Sequence, residues 1–110
     1  MKTTLLILAI CLSQTVFSQQ AKKQTIVIQT SAQCDDCKER IEGALNYTKG
    51  VKFADLDLET KKVSVQYKTK KINAQEIKNI IAKIGYDADE TKANADAVIK
   101  LPKCCQPNGH

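Results

Sequence analysis

Gln24-Thr25-Ile26-Val27-Ile28-Gln29-Thr30-Ser31-Ala32-Gln33-Cys34-Asp35-Asp36-Cys37 is the stretch on which the reading of the fold turns. Ile26 and Ile28 alternate with Thr25, Val27 and Gln29, the period-two pattern of a strand over residues 24–30. After a short loop the period changes. Cys37, Ile41, Ala44 and Leu45 share one face of a helix expected over residues 35–47. Asp35 and Asp36 fall in its first turn, where carboxylates suit the partial positive charge of a helix N-terminus. Cys34 and Cys37 therefore sit at a strand-to-helix junction. Backbone N–H groups there favour thiolate over thiol. Two thiolates at i and i+3 on a first turn can converge on one soft metal ion.

Working outward, Gly43 costs the first helix roughly 1 kcal/mol relative to Ala, and Gly50 is placed to stop it. Residues 51–58 read as a second strand with Ala54, Leu56 and Leu58 on one face. A polar connection over 59–62 leads to a third strand carrying Val63, Val65 and Tyr67 in alternation. Asn73 suits the N-cap of a second helix. Ile77, Ile80, Ile81 and Ile84 give it the i, i+3, i+4, i+7 spacing of a buried face, and Gly85 ends it. Residues 86–92 read as a fourth strand, polar and therefore at a sheet edge. The order is βαββαβ, an α+β ferredoxin-like sandwich: a four-stranded antiparallel sheet with two helices on one face. A core of about 70 residues suffices for one small domain. Asn94 is placed to cap one or two further helical turns that Leu101-Pro102 ends, and residues 106–110 are expected to fray.

Residues 1–18 read as a secretory signal peptide. Lys2 supplies a positive start, residues 5–12 are apolar, and Val16-Phe17-Ser18 resembles a cleavage site that leaves Gln19 as the new N-terminus. The apolar run is too short to span a bilayer as an ordinary helix, and Cys11 within it reads as a small apolar residue. The expected organisation is thus a signal over 1–18, a domain over 19–93, and an extension over 94–110 that carries the Cys104-Cys105 pair. Export places the chain in the periplasm or outside the cell, a disulfide-permissive compartment. Removing Lys2 takes the net charge from +5 to +4. The lysines are scattered and the aromatics few, so a solvated lysine face is expected and not nucleic-acid binding. His110 is the only histidine and the last residue, so no Ser-His-Asp set exists, and the four glycines form no phosphate-cradling loop.

With this order established, the chain resembles the heavy-metal-associated domain over residues 24–91. That family includes copper chaperones, periplasmic mercury-binding proteins and the N-terminal modules of metal-transporting ATPases. Its usual signature, Gly-Met-Thr-Cys-x-x-Cys, stands here as Ser31-Ala32-Gln33-Cys34-Asp35-Asp36-Cys37: both cysteines match, and the Gly, Met and Thr do not. Gly50-Val51 and Gly85-Tyr86-Asp87-Ala88 also fit the family pattern. The resemblance implies that Tyr86 stands near the metal loop in a supporting role. It implies Cu(I) as the leading metal, with Zn(II) and Hg(II) open. Loss of the Met is expected to loosen the packing under the loop. Asp35 and Asp36 add negative charge and hard oxygen atoms beside the sulfurs, which suit Zn(II) better than Cu(I).

The expected protein is not an enzyme. It is an exported metallochaperone or scavenger in which Cys34 and Cys37 hold a thiophilic ion and pass it on by ligand exchange. Cys104 and Cys105 are candidate third and fourth ligands; they are equally open to forming disulfides with Cys34 and Cys37 or to staying free. No small-molecule substrate is expected. The implied partner is a metal-transporting membrane protein or another exported metal-binding domain, met through a transient, partly electrostatic contact. A monomer is expected, with a metal-bound dimer open. The competing readings are a thiol-disulfide redox protein and a small interaction module stapled by disulfides. Against the thioredoxin-like version, Pro102 and Pro107 are the only prolines, and neither can supply a cis-proline loop opposite the cysteines.

Overall fold

The computed structural model describes residues 22–107. The expected signal segment, residues 1–18, and His110 lie outside the described residues. The elements run β1 (Lys23–Gln29), α1 (Asp35–Asn46), β2 (Val51–Asp57), β3 (Lys62–Lys68), α2 (Ala74–Lys83) and α3 (Ala95–Lys100), followed by a 3₁₀ turn at Lys103–Cys105. Among the described residues the sheet has three strands in the order β1-β3-β2, with β3 central and antiparallel to both neighbours.

Strand alternation sets the two faces of this sheet. Ile28, Ala54, Leu56, Val63, Val65 and Tyr67 are buried on one face, while Val27 and Phe53 stand exposed on the other. A register shift between Val51 and Phe53 lets Val51 pair with Tyr67 and returns Ala54 to the core opposite Val65. Above the buried face, α1 brings Cys37, Ile41 and Leu45, each fully buried, and packs against β2 and α2. Burying side chains such as Ile41 and Leu45 contributes roughly 1.5–3 kcal/mol each. In α2, Ile77 and Ile81 are buried, with Ile80 and Ile84 half-buried at the flanks. Asn73 closes a capping box at its start: the Asn73 side chain accepts from the Glu76 N–H at 2.8 Å, and the Glu76 carboxylate accepts from the Asn73 N–H at 3.0 Å.

The expected fourth strand is corrected to a single bridge. Thr30 pairs with Ala88 beside β1, and the Asp89 N–H donates to the Gln29 carbonyl at 2.9 Å. Pairing then ends because the chain reverses. Asp89 takes a φ of 52°, and Ala88 and Thr91 exchange both backbone hydrogen bonds across the turn. The segment runs along the outer edge of β1, as its polar composition suggests, but it turns away after one residue.

The end of the described chain is also corrected. Asn94 caps α3 by accepting from the Ala97 N–H at 3.0 Å, and Leu101 follows as the C-cap. Residues 101–106 then return to the core, so the fraying expected over 106–110 does not begin at Gln106. Leu101 and Cys105 are buried, and the Gln106 carbonyl accepts from the Gln33 side chain at 3.2 Å.

Candidate metal centre

The loop between β1 and α1 is anchored from below. Thr30 is buried; its hydroxyl donates to the Lys61 carbonyl at 2.8 Å and accepts from the Ala32 N–H at 3.1 Å. Ala32 stands where the signature has Met and is fully buried, so the shorter side chain leaves the loop seated on the core. Ser31 accepts from the Asp87 N–H at 2.9 Å, which ties the same loop to the chain after α2.

On this seat Cys34 is the N-cap residue of α1, its carbonyl accepting from the Lys38 N–H at 3.1 Å. Its sulfur lies 3.4 Å from Cys37, 3.1 Å from Cys104 and 3.7 Å from Cys105. Cys104 and Cys105 are 4.0 Å apart. The sulfurs of Cys34, Cys104 and Cys105 all lie within 4.8 Å of one another. None of the four cysteines is in a disulfide. Cys34 and Cys104 are half-buried, while Cys37 and Cys105 are buried. The structure thus brings together all four sulfurs that the sequence singled out.

Electrostatics distinguish the sulfurs. Desolvation raises the Cys34 pKa, but hydrogen bonds from the Cys104 thiol, the Cys37 backbone N–H and the Cys37 and Cys105 thiols outweigh it. The net result is a pKa of about 7, against an ordinary 9.0. Cys104 moves up, first because its hydrogen bond serves the Cys34 thiolate and then through desolvation. Burial drives Cys105 well above the ordinary thiol range, and its interaction with Cys37 adds to that. One thiolate held by neighbouring thiols is an arrangement with the chemistry to capture a thiophilic cation, since metal binding displaces thiol protons.

Tyr86 is fully buried, and its hydroxyl has no regular hydrogen-bond partner. Burial raises its pKa strongly, and the nearby Cys105 and Cys37 thiols add to the rise. The tyrosine therefore stands against the sulfur cluster. The two aspartates separate. Asp36 reaches the cluster, its carboxylate 3.9 Å from the Cys105 sulfur and 3.6 Å from Arg40 Nε. Asp35 is exposed, and among the described residues no hydrogen bond or ion pair joins it to the sulfurs. Reading the sequence did not single out Thr30 or the Gln33–Gln106 pair. A buried threonine at the end of β1 carries a weak signal, because its neighbours alternate apolar-in. A contact across 73 residues carries none. Six lysines (22, 23, 52, 68, 70 and 71) line a cleft of about 380 Å³ at the other end of the sheet, where Lys23 pairs with Lys68, remote from the sulfurs.

A βαββα frame with a Cys-x-x-Cys junction packed over its core is the form of a small soft-metal-binding domain. Residues 25–87 match the heavy-metal-associated domain, and the chain belongs to that family. It is 44% identical over 54 residues to the copper chaperone CopZ of Staphylococcus aureus (strain JH9), a match covering 49% of this chain and 79% of that protein. Among solved structures it resembles a CopZ metallochaperone at 36% identity and a TM-score of 0.57, covering 59% of this chain and 98% of the other. It also resembles the water-soluble region of the P-type ATPase CopA from Bacillus subtilis at 31% identity and a TM-score of 0.58, covering 64% of this chain and 47% of that one. Oxidized MerP from Ralstonia metallidurans CH34, at 24% identity and a TM-score of 0.59, shares the fold. The expectation of a metal-binding, non-enzymatic protein accords with this family.

Proposed function

We propose that this protein is an exported metallochaperone or scavenger that binds Cu(I) through the thiolates of Cys34 and Cys37 and passes it on by ligand exchange. One observation carries the reading: Cys34, with a pKa brought down to about 7, has three further sulfurs within 3.7 Å. Sulfur-only donors suit Cu(I) and Zn(II), and the copper-chaperone relatives favour copper. Hg(II), equally thiophilic, would find the same donors. In transfer, a partner thiolate adds to the bound ion and one Cu–S bond to this chain then breaks. The departing sulfur takes up a proton from water, and no electron moves. Similarity to the soluble region of a P-type ATPase supports a metal-transporting membrane protein as the partner.

The test is a Cu(I) titration of the reduced full chain under anaerobic conditions against a chromophoric chelator, beside a Cys34→Ser/Cys37→Ser variant. We expect the variant to bind at least 100-fold more weakly, and equal affinities refute the proposal. Export is tested separately by the mass of the protein recovered from the cell envelope, which should begin at Gln19.

A further inference from the structure

We infer that the C-terminal segment is a strap that supplies the thiolates of Cys104 and Cys105 to the ion captured at Cys34, and so retains that ion against transfer. The inference rests on the copper-binding reading above and concerns how that same site is completed and controlled. The hub of the cluster is Cys34, not the Cys34–Cys37 pair as a unit. Its nearest sulfur is Cys104, at 3.1 Å, from 70 residues away in the chain.

The spacing of the sulfurs indicates the coordination. Two sulfurs bonded on opposite sides of one ion stand about 4.6 Å apart, twice a metal–sulfur bond of about 2.3 Å. Sulfurs arranged as a triangle or tetrahedron around the same ion stand about 3.8–4.0 Å apart. The observed separations of 3.4, 3.7 and 4.0 Å lie near the second range, and the 3.1 Å pair lies shorter still. A cation entering between Cys34, Cys104 and Cys105, whose sulfurs all lie within 4.8 Å of one another, meets three sulfurs already gathered.

Three features hold the strap in place. Leu101 is buried against Gly85, close enough that a Cβ on the glycine would lie 3.1 Å from Leu101 Cδ1. The Asn94 N–H donates to the Ala82 carbonyl at 2.9 Å. Gln33, in the metal loop itself, donates to the Gln106 carbonyl at 3.2 Å. The fit is nonetheless incomplete. A cleft of about 490 Å³, lined by Ser31, Asp87, Val98 and Cys105 among others, borders the strap. Tyr86 lies beneath the same cluster, its buried hydroxyl beside the Cys105 and Cys37 thiols.

The consequence for transfer is kinetic. Strap thiolates compete with a partner's cysteines at an effective concentration in the millimolar range or above, because they are tethered to the site. A partner present at micromolar concentration displaces them slowly unless it also lifts the strap.

The experiment compares the Cu(I)-loaded full chain with Cys104→Ser and with Cys104→Ser/Cys105→Ser. Sulfur ligands are counted by X-ray absorption at the copper edge, and release is timed into excess bathocuproine disulfonate. We expect three or four sulfurs in the native chain, one fewer in the single variant and two in the double. Release should be at least tenfold faster in the double variant. Cys104 is half-buried, so the single variant preserves the fold if the buried Cys105 proves intolerant of Ser. Two sulfurs and equal release rates in all three proteins overturn the strap and leave copper binding by Cys34 and Cys37 standing. Three sulfurs found only in material that sediments as a dimer also overturn it, since a second copy then provides them. Failure of the native chain to bind Cu(I) better than Cys34→Ser/Cys37→Ser removes both proposals.

Discussion

Replacing Cys104 by Ala should make Cys34 a poorer nucleophile in the metal-free protein. The hydrogen bond from the Cys104 thiol is the largest of the contributions that lower the Cys34 pKa to about 7 from an ordinary 9.0. A thiol titrating at 7 is about 9% thiolate at pH 6, and one titrating at 9.0 is about 0.1%, roughly a 90-fold difference. Intrinsic nucleophilicity falls as the pKa falls, with a Brønsted coefficient of about 0.4–0.5, which takes back about eightfold. Native Cys34 should thus be alkylated about tenfold faster at pH 6 than an unperturbed cysteine. The sign follows from the thiolate being the reactive form: the rate climbs as pH rises through about 7 and levels off above it. In Cys104→Ala the midpoint moves toward 9.0 and the pH 6 rate drops by part of that tenfold. The assay is iodoacetamide labelling of the reduced, metal-free full chain from pH 5 to 9, with peptide mass spectrometry to isolate Cys34. A native midpoint at the ordinary value, or one that Cys104→Ala does not move, refutes the reasoning.

Two further outcomes concern the frame around the site, both read from urea midpoints. Gly43→Ala and Gly85→Ala should have opposite signs. A Cβ at Gly43 meets nothing within 4 Å in the middle of α1, so Ala should stabilise by about 0.5–1 kcal/mol. Gly85 holds a φ of +108° with Leu101 close by, so Ala there should cost at least about 1–2 kcal/mol. Asn73→Ala removes the side-chain half of the capping box on α2 and should cost about 1 kcal/mol.

Where an element's geometry is set by its own residues, reading the chain and solving the fold agree closely. The helix expected over 35–47 forms at Asp35–Asn46, and the strand expected over 51–58 at Val51–Asp57. Asn73 caps α2, and Ile77 and Ile81 fill its inner face. Agreement ends where an element's extent depends on a neighbour. Residues 86–92 have the composition of an edge strand, but a strand lasts only as long as its partner edge offers bonds. Here the left-handed turn at Asp89 removes the chain from β1 after Ala88. In the same way, Gln106, at the start of the polar C-terminus, has every local sign of fraying. The Gln33 side chain and the pocket beside Gly85 hold it down, and neither leaves a trace in the residues of the tail itself.

Periodicity and spacing alone determined that Cys34 and Cys37 share the first turn of a helix that follows a strand. That relation is local, three residues long, and follows from backbone geometry once the pattern changes period. Only the tertiary structure decided that Cys104 and Cys105 reach the same point and that Asp36 faces it while Asp35 does not. These relations join residues up to 71 positions apart. The packing of Leu101 and the seating of the loop on Thr30 set them, and contacts of that range leave no periodic mark on the chain.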